Sequence, residues 1–180
     1  PPSGKISVIS QSGALCVAIL DWAAKEKLGM GKVISIGNKA DLNEADFLQA
    51  LAEDKETTVI ASYLESIKDG NKFLRIAEEA AAIKPVLILK VGTTQAGAKA
   101  ASSHTGSLAG ADIAYGAAFR RSGVIRAENV EALFDYALAF ASQPVPNGNR
   151  VAVITNAGGP GIMAADAAES LGLKMVTPRA

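Results

Sequence analysis

The sequence predicts an α/β protein built on a doubly wound parallel sheet, with the opening βαβ of a second, similar domain behind it. Three observations carry that reading. Short Val/Ile-rich runs alternate with Ala-rich stretches of helical periodicity from end to end. Gly, Ser, Asn or Asp punctuates most junctions between them. The chain has 180 residues, 49% of them hydrophobic, enough for one complete core and part of another.

The elements follow in order. Lys5–Ser10 reads as a buried strand, and Ser12-Gly13 opens a helix over Ala14–Glu26 whose Leu15, Ala18, Ile19 and Trp22 share one face. Lys32–Gly37 is the second strand, followed by Asn38-Lys39-Ala40-Asp41 and a helix over Glu44–Ala52 with Phe47, Leu48 and Leu51 on its apolar side. Thr57–Leu64 is the third strand and ends at Glu65. Asp69-Gly70-Asn71 leads into a helix over Lys72–Ile83, which Pro85 stops because proline has no amide to donate and crowds the turn before it. Pro85–Val91 is the fourth strand. Thr93–Ala109 then breaks the pattern: it is almost all Thr, Ser, Gly and Ala, too poor in large apolar groups for a core element, and long irregular segments in compact domains are usually functional. Helical periodicity resumes over Asp112–Arg121, Gly123-Val124-Ile125 predicts a short edge strand, and Val130–Ala141 a closing helix. This first domain spans 1–143. Residues 144–150, rich in Pro, Gly and Asn, read as a linker. From 151 to 180 a truncated second domain begins with a strand over Val151–Thr155, a helix over Gly161–Leu171 and a strand over Lys174–Val176. A βαβ of about 30 residues is too small to cover its own sheet, so the polypeptide is expected to continue and the incomplete unit to favour self-association into a homo-oligomer.

Composition narrows the function. Eighteen Lys+Arg balance eighteen Asp+Glu, so there is no basic footprint for nucleic acid or an anionic membrane. Cys16 is the single cysteine, which excludes an intrachain disulfide and a Cys-based metal cage and fits a reducing, cytoplasmic location. No apolar run approaches the roughly 20 residues that span a bilayer.

Two junctions share a design of strand, small-residue turn and helix start: Ser12-Gly13-Ala14, and Asn156-Ala157-Gly158-Gly159-Pro160-Gly161. The first amides of a helix lack intrahelical partners and carry positive potential, so Ser12, Gly13 and Ala14, and Gly158, Gly159 and Gly161, are candidate phosphate-binding residues. The alternative is a pair of ordinary turns capped by Ser12 and Asn156. Gly159–Ala164 also fits a relaxed dinucleotide fingerprint, but Lys174–Arg179 offers no carboxylate for a ribose, so phosphate ranks ahead of a dinucleotide. His104 is the only histidine, and Ser102, Ser103, Thr105, Gly106 and Ser107 leave space around it. A neutral imidazole there can accept a phosphoryl group if a carboxylate orients its other nitrogen. Glu65, at the C-terminal rim where the βα turns converge, is the best-placed candidate, against the alternative of a solvated helix-cap carboxylate.

Six stretches then carry a family resemblance: ISQSGAL at 9–15, GNKADLNEADFLQALAED at 37–54, YLESIKDGNKF at 63–73, KPVLILKVGTT at 84–94, SSHTGSLAG at 102–110 and TNAGGPGIMAAD at 155–166. The chain resembles the succinyl-CoA-ligase-like, flavodoxin-like region of NDP-forming acyl-CoA synthetases, of which the ADP-forming acetyl-CoA synthetases are typical. The resemblance implies that His104 carries a transient phosphate, that Glu65 is its carboxylate partner, and that the two helix starts face the phosphate. It implies interconversion of acyl-CoA, ADP and phosphate with free acid, ATP and CoA, with Mg as the ion of the complete enzyme and no resident metal in this chain. CoA-binding and ATP-grasp domains or subunits are then the expected partners. A non-catalytic regulatory module of a protein acetyltransferase is the alternative from another class; the presence of His104 and Glu65 favours the enzyme.

Overall fold

The computed structural model describes residues 1–94, 96, 97, 99 and 112–177. The chain divides into two compact units, Pro1–Gln143 and Pro144–Ala180.

The first unit runs β1 (Ser3–Ser10), α1 (Gly13–Lys25), β2 (Met30–Ser35), α2 (Glu44–Glu53), β3 (Val59–Leu64), α3 (Gly70–Ile83), β4 (Val86–Lys90), α4 (Asp112–Ser122), β5 (Ile125–Ala127) and α5 (Val130–Ser142). Its five strands are parallel in the order β2-β1-β3-β4-β5, with pairs such as Val8↔Val33, Val8↔Ala61, Ala61↔Leu87 and Leu87↔Ile125 fixing the register. This is the flavodoxin-like order, in which the chain winds outward in both directions from β1 and β3.

Side-chain alternation along the strands explains why both faces need helices. Ile9, Ile60, Leu64, Val86 and Ile88 point to one face and pack with Leu48, Leu51, Phe73, Ile76 and Phe119 of α2, α3 and α4. Ile6, Val8, Val59, Ala61, Leu87 and Leu89 point to the other and pack with Ile19, Ala23, Leu133, Phe134 and Ala137 of α1 and α5. Caps fix the helix starts. Ser12, Asp69 and Asn129 accept from the amides of Leu15, Lys72 and Ala132, and Asn43 with Asp46 forms a reciprocal capping box on α2.

Several boundaries differ from the sequence expectation, each for a local reason. β3 begins at Val59 because Thr57 turns its hydroxyl to Asp54 and Ser7. β2 occupies Met30–Ser35, starting earlier, because Met30 donates to the Pro2 carbonyl and the chain crosses β1 backbone to backbone at Gly4 and Gly29. The edge strand is Ile125–Ala127, not Gly123–Ile125. Gly123, at φ +72, donates to the Arg120 carbonyl and Val124 donates to that of Phe119, so these two residues close α4 instead. Within Thr93–Ala109, expected to be irregular, Ala96, Gly97 and Lys99 are helical, and Thr94 Oγ1 accepts from the Gly97 amide at 3.0 Å.

The second unit is β6 (Arg150–Val151), α6 (Gly158–Ser170) and β7 (Lys174–Met175), with β6 and β7 parallel. The expected strand over Val151–Thr155 shrinks to two residues because β7 offers only two partners. Ile154, Ile162, Met163 and Leu171 are exposed.

The Gly4–Gly29 crossing yields a stability prediction. A Cβ on Gly4 would lie 2.2 Å from the Gly29 carbonyl carbon, so Gly4→Ala should lower unfolding stability by about 2 kcal/mol through forced backbone displacement. Gly148→Ala meets nothing within 4 Å and should stay within about 0.5 kcal/mol. Urea midpoints of the two variants provide the comparison, and equal midpoints would contradict the close approach.

Candidate active site

The sheet's order reverses between β1 and β3, so the turns that leave these two strands diverge and open a crevice at their C-terminal ends. Ser10-Gln11-Ser12 leaves β1 and Glu65-Ser66 leaves β3. Ser12 caps α1 by accepting from the Leu15 amide at 3.2 Å, while Gly13 and Ala14, the first two residues of the helix, are exposed at its positive end. Buried Ser10 holds the turn from behind, donating to the Ser12 carbonyl at 2.9 Å and accepting from the Ser12 amide at 3.1 Å.

Glu65 is 8% exposed, and Asp69, not Glu65, caps the following helix. That removes the solvated helix-cap alternative. Its backbone amide donates to Gln11 Oε1 at 2.5 Å, and its carbonyl accepts from Lys90 Nζ at 2.7 Å. Tyr63 hydrogen-bonds its carboxylate; burial first, and then that negative charge, holds the Tyr63 phenol above its ordinary pKa.

Around Glu65 lies a buried polar network. Gln11 Oε1 also accepts from the Ser66 amide at 2.9 Å, and Gln11 Nε2 donates to Ser66 Oγ at 3.3 Å. Lys39 Nζ donates to the Ser66 carbonyl at 2.8 Å and to Ser66 Oγ at 3.1 Å. The same ammonium lies 3.0 Å from Glu44 Oε2 as an ion pair outside hydrogen-bonding geometry, and Glu44 Oε1 accepts from the Lys68 amide at 2.9 Å. Lys90, 3% exposed, also donates to the Val91 carbonyl and lies 4.5 Å from the centre of the Tyr115 ring. Burial, with the Arg126 and Lys39 charges adding to it, pushes the Lys90 pKa down to about 8, while Glu65 and Asp112 oppose the shift.

Gln11, Lys39, Glu44, Ser66 and Lys90 were not singled out by sequence reasoning. The available signal was their position: each is polar and lies at a strand end or in the segment after one, but alternation and capping rules do not distinguish a buried lysine from a solvated one.

Beside this rim, past the ends of β4 and β5, a cleft of about 620 Å³ is lined by Lys90, Gly92, Thr93, Thr94 and Arg126. A separate hollow of about 400 Å³ between α1 and α5 is lined by Leu15, Ile19, Trp22, Val130 and Phe134 together with Glu131 and Asp135.

The other predicted site residues stand as follows. His104, with Ser102, Ser103 and Thr105, lies outside the described residues. Gly158 and Gly159 begin α6 with open space around them. Asn156 does not cap this helix; Ala157 occupies the cap position without a side-chain bond, and Thr155 Oγ1 accepts from its amide at 3.0 Å. Among the described residues no group of three or more His, Cys, Asp or Glu side chains could hold a metal ion, and no helix is long and apolar enough to cross a membrane.

A five-stranded sheet of this order, with a polar rim at the switch point between β1 and β3, defines a doubly wound domain of the flavodoxin type. More particularly, the chain belongs to the family described as the succinyl-CoA ligase like flavodoxin domain, which it matches over residues 3–140. It is 51% identical over 175 residues to the ADP-forming acetate–CoA ligase I of Archaeoglobus fulgidus, the match covering 97% of this chain and 25% of that protein. It is 48% identical over 172 residues to the alpha subunit of the ADP-forming acetate–CoA ligase I of Pyrococcus furiosus, covering 96% of this chain and 37% of that subunit. Among solved structures, the dinucleotide forming acetyl-coenzyme A synthetase 1 of Ca. Korarchaeum cryptofilum, in complex with phosphate and ADP, matches with a TM-score of 0.91 at 40% identity. That match covers 99% of this chain and 39% of the other. The chain therefore spans well under half the length of these relatives.

The Lys90 environment sets a measurable pH dependence. Its pKa is lower in the fold than the ordinary 10.5 of the unfolded chain, so between pH 8 and 10.5 the unfolded chain binds the extra proton and folding becomes more favourable as pH rises. Comparison with Lys90→Met isolates this term. The stability difference should move in favour of the wild type across that window, by on the order of 2–3 kcal/mol. Denaturant unfolding at pH 8 and pH 10.5 would show it, and a difference independent of pH would refute a depressed Lys90.

Proposed function

We propose that this chain is the phosphohistidine-bearing portion of an NDP-forming acyl-CoA synthetase, interconverting acyl-CoA, ADP and phosphate with free acid, ATP and CoA. The observation that carries this reading is the pairing, across the β1/β3 crevice, of the exposed α1 N-terminus with a buried, backbone-clamped glutamate. The former suits a phosphate and the latter an imidazole. The family and the names of its ADP-forming relatives support it.

Phosphate first attacks the thioester carbonyl, the C–S bond breaks, and CoA leaves as an acyl phosphate forms. The neutral His104 ring then attacks phosphorus, the bond from phosphorus to the carboxylate oxygen breaks, and the free acid departs. Glu65 accepts a hydrogen bond from the other ring nitrogen and so stabilises the cationic phosphoimidazole. The amides of Gly13 and Ala14, and in the second unit those of Gly158 and Gly159, each offer an anion site for phosphate, whereas the Ser12 and Gly161 amides are taken by Ser10 Oγ and the Ala157 carbonyl. ADP finally takes the phosphoryl group from His104. Mg²⁺, as the ion of the complete enzyme, enters with the nucleotide. CoA-binding and ATP-grasp domains or subunits supply acyl-CoA and ADP, in line with the share of the relatives' length that this chain spans.

Labelling of the complete enzyme with γ-labelled ATP tests the reading. His104→Asn should abolish an acid-labile, base-stable label while leaving the circular dichroism unchanged. Glu65→Gln should fold but slow phosphorylation by roughly 10²–10⁴-fold, the scale of losing a positioned acid–base or orienting group. Undiminished label on His104→Asn, or acid-stable label on Ser102, Ser103 or Thr105, would overturn the assignment.

A further inference from the structure

We propose that Gln11, Lys90 and Lys39 are positioning residues that hold the Glu65 turn in register with the N-terminus of α1; this rests on the reading of Glu65 as the carboxylate that orients the phosphorylated imidazole. The ladder between β3 and β4 ends at Leu64↔Lys90, so the peptide groups of Glu65 and Ser66 emerge from the sheet without strand partners. All four are nevertheless taken up, and every partner is a buried side chain from another element. Gln11 Oε1 accepts from both amides, Lys90 Nζ donates to the Glu65 carbonyl, and Lys39 Nζ donates to the Ser66 carbonyl.

The composition of this clamp argues for a role beyond stability. A turn can satisfy its peptide groups with water or a short Asx-type bond. Here two ammonium groups are buried instead, which is unfavourable unless geometry compensates. Lys39 is also held in the left-handed backbone region, at φ 56, where an unbranched but bulky side chain is disfavoured. Strain and buried charge together around one short turn mark a place where position matters more than ease of folding.

Gln11 makes the geometric link. Its backbone lies in the turn between β1 and α1, one residue before the Ser12 cap, and its amide donates to the Tyr63 carbonyl at 3.1 Å. Its side chain grips Glu65 and Ser66. One residue therefore fixes the separation between the anion-receptive helix start and the glutamate. Lys90 and Lys39 fix the turn from the β4 side and from the segment between β2 and α2.

Steady-state kinetics of the complete enzyme, with acyl-CoA and phosphate varied, distinguishes positioning from mere stabilisation. Gln11→Met removes the acceptor and the donor at similar length. It should lower kcat by about 10²-fold, the scale of a displacement near 1 Å at a reacting centre, with KM for acyl-CoA and phosphate within about threefold. Gln11→Glu keeps the acceptor for both amides and should recover kcat to within about tenfold of wild type. Lys90→Met, which frees the Glu65 carbonyl, should reproduce the kcat loss and serves as the deciding variant should Gln11→Met not fold. Wild-type kcat with a lowered thermal midpoint in the folded variants would overturn the proposal, as would a rise in KM at unchanged kcat. His104→Asn is assayed alongside. If it is inactive while Gln11→Met and Lys90→Met keep wild-type kcat, positioning alone fails; if it retains activity, the phosphohistidine reading fails and this inference with it.

Discussion

Every buried peptide group must find a partner, and at the C-terminal edge of this parallel sheet that requirement governs what surrounds it. β3 ends at its last ladder pair, and the next two residues, Glu65 and Ser66, continue into an interior position where water does not reach freely. The side chains that meet this need converge from β4, from the β1–α1 turn and from the segment before α2. Three elements distant in sequence are thereby tied to Glu65 and Ser66. The crevice between β1 and β3 owes its defined shape to those bonds as much as to the hydrophobic layers beneath it.

The electrostatics follow from the same arrangement. Lys39 and Lys90 are nearly inaccessible, and Lys39 has a buried carboxylate, Glu44, at ion-pair distance. Lys90 is held by two backbone carbonyls and an aromatic face, and the proximity of Arg126 and Lys39 makes its charged form harder to keep. The carboxylates of Glu44, Glu65 and Asp112 offset these cations, so the exposed start of α1 is the feature suited to an anionic ligand. Hydrophobic burial contributes the platform: two apolar layers on opposite faces of the sheet make β1, β3 and β4 a rigid floor.

Much of the fold was legible because the signals are local. Val/Ile runs of strand length, separated by amphipathic helices, specify parallel pairing and two covered faces; Ser12 announced a helix start that the structure keeps. Misread boundaries arose where a longer-range contact prevailed over local propensity. Gly123 and Val124 carry strand-like character, yet the α4 carbonyls of Arg120 and Phe119 claim their amides. Ala152–Thr155 are good strand residues, yet β7 pairs with only Arg150 and Val151.

The site divides along the same line. Sequence alone determined the alternation that yields a doubly wound α/β sheet, the placement of Glu65 just after a strand, and the small residues that open α1, because each depends on neighbours a few positions away. Tertiary structure decided that Gln11, Lys39 and Lys90, drawn from three separate segments, meet at the two peptide groups after β3. It also decided that Glu65 is buried and not a solvated cap. Burial and partner choice are properties of strand order and register, and these emerge only when β1, β3 and β4 lie side by side.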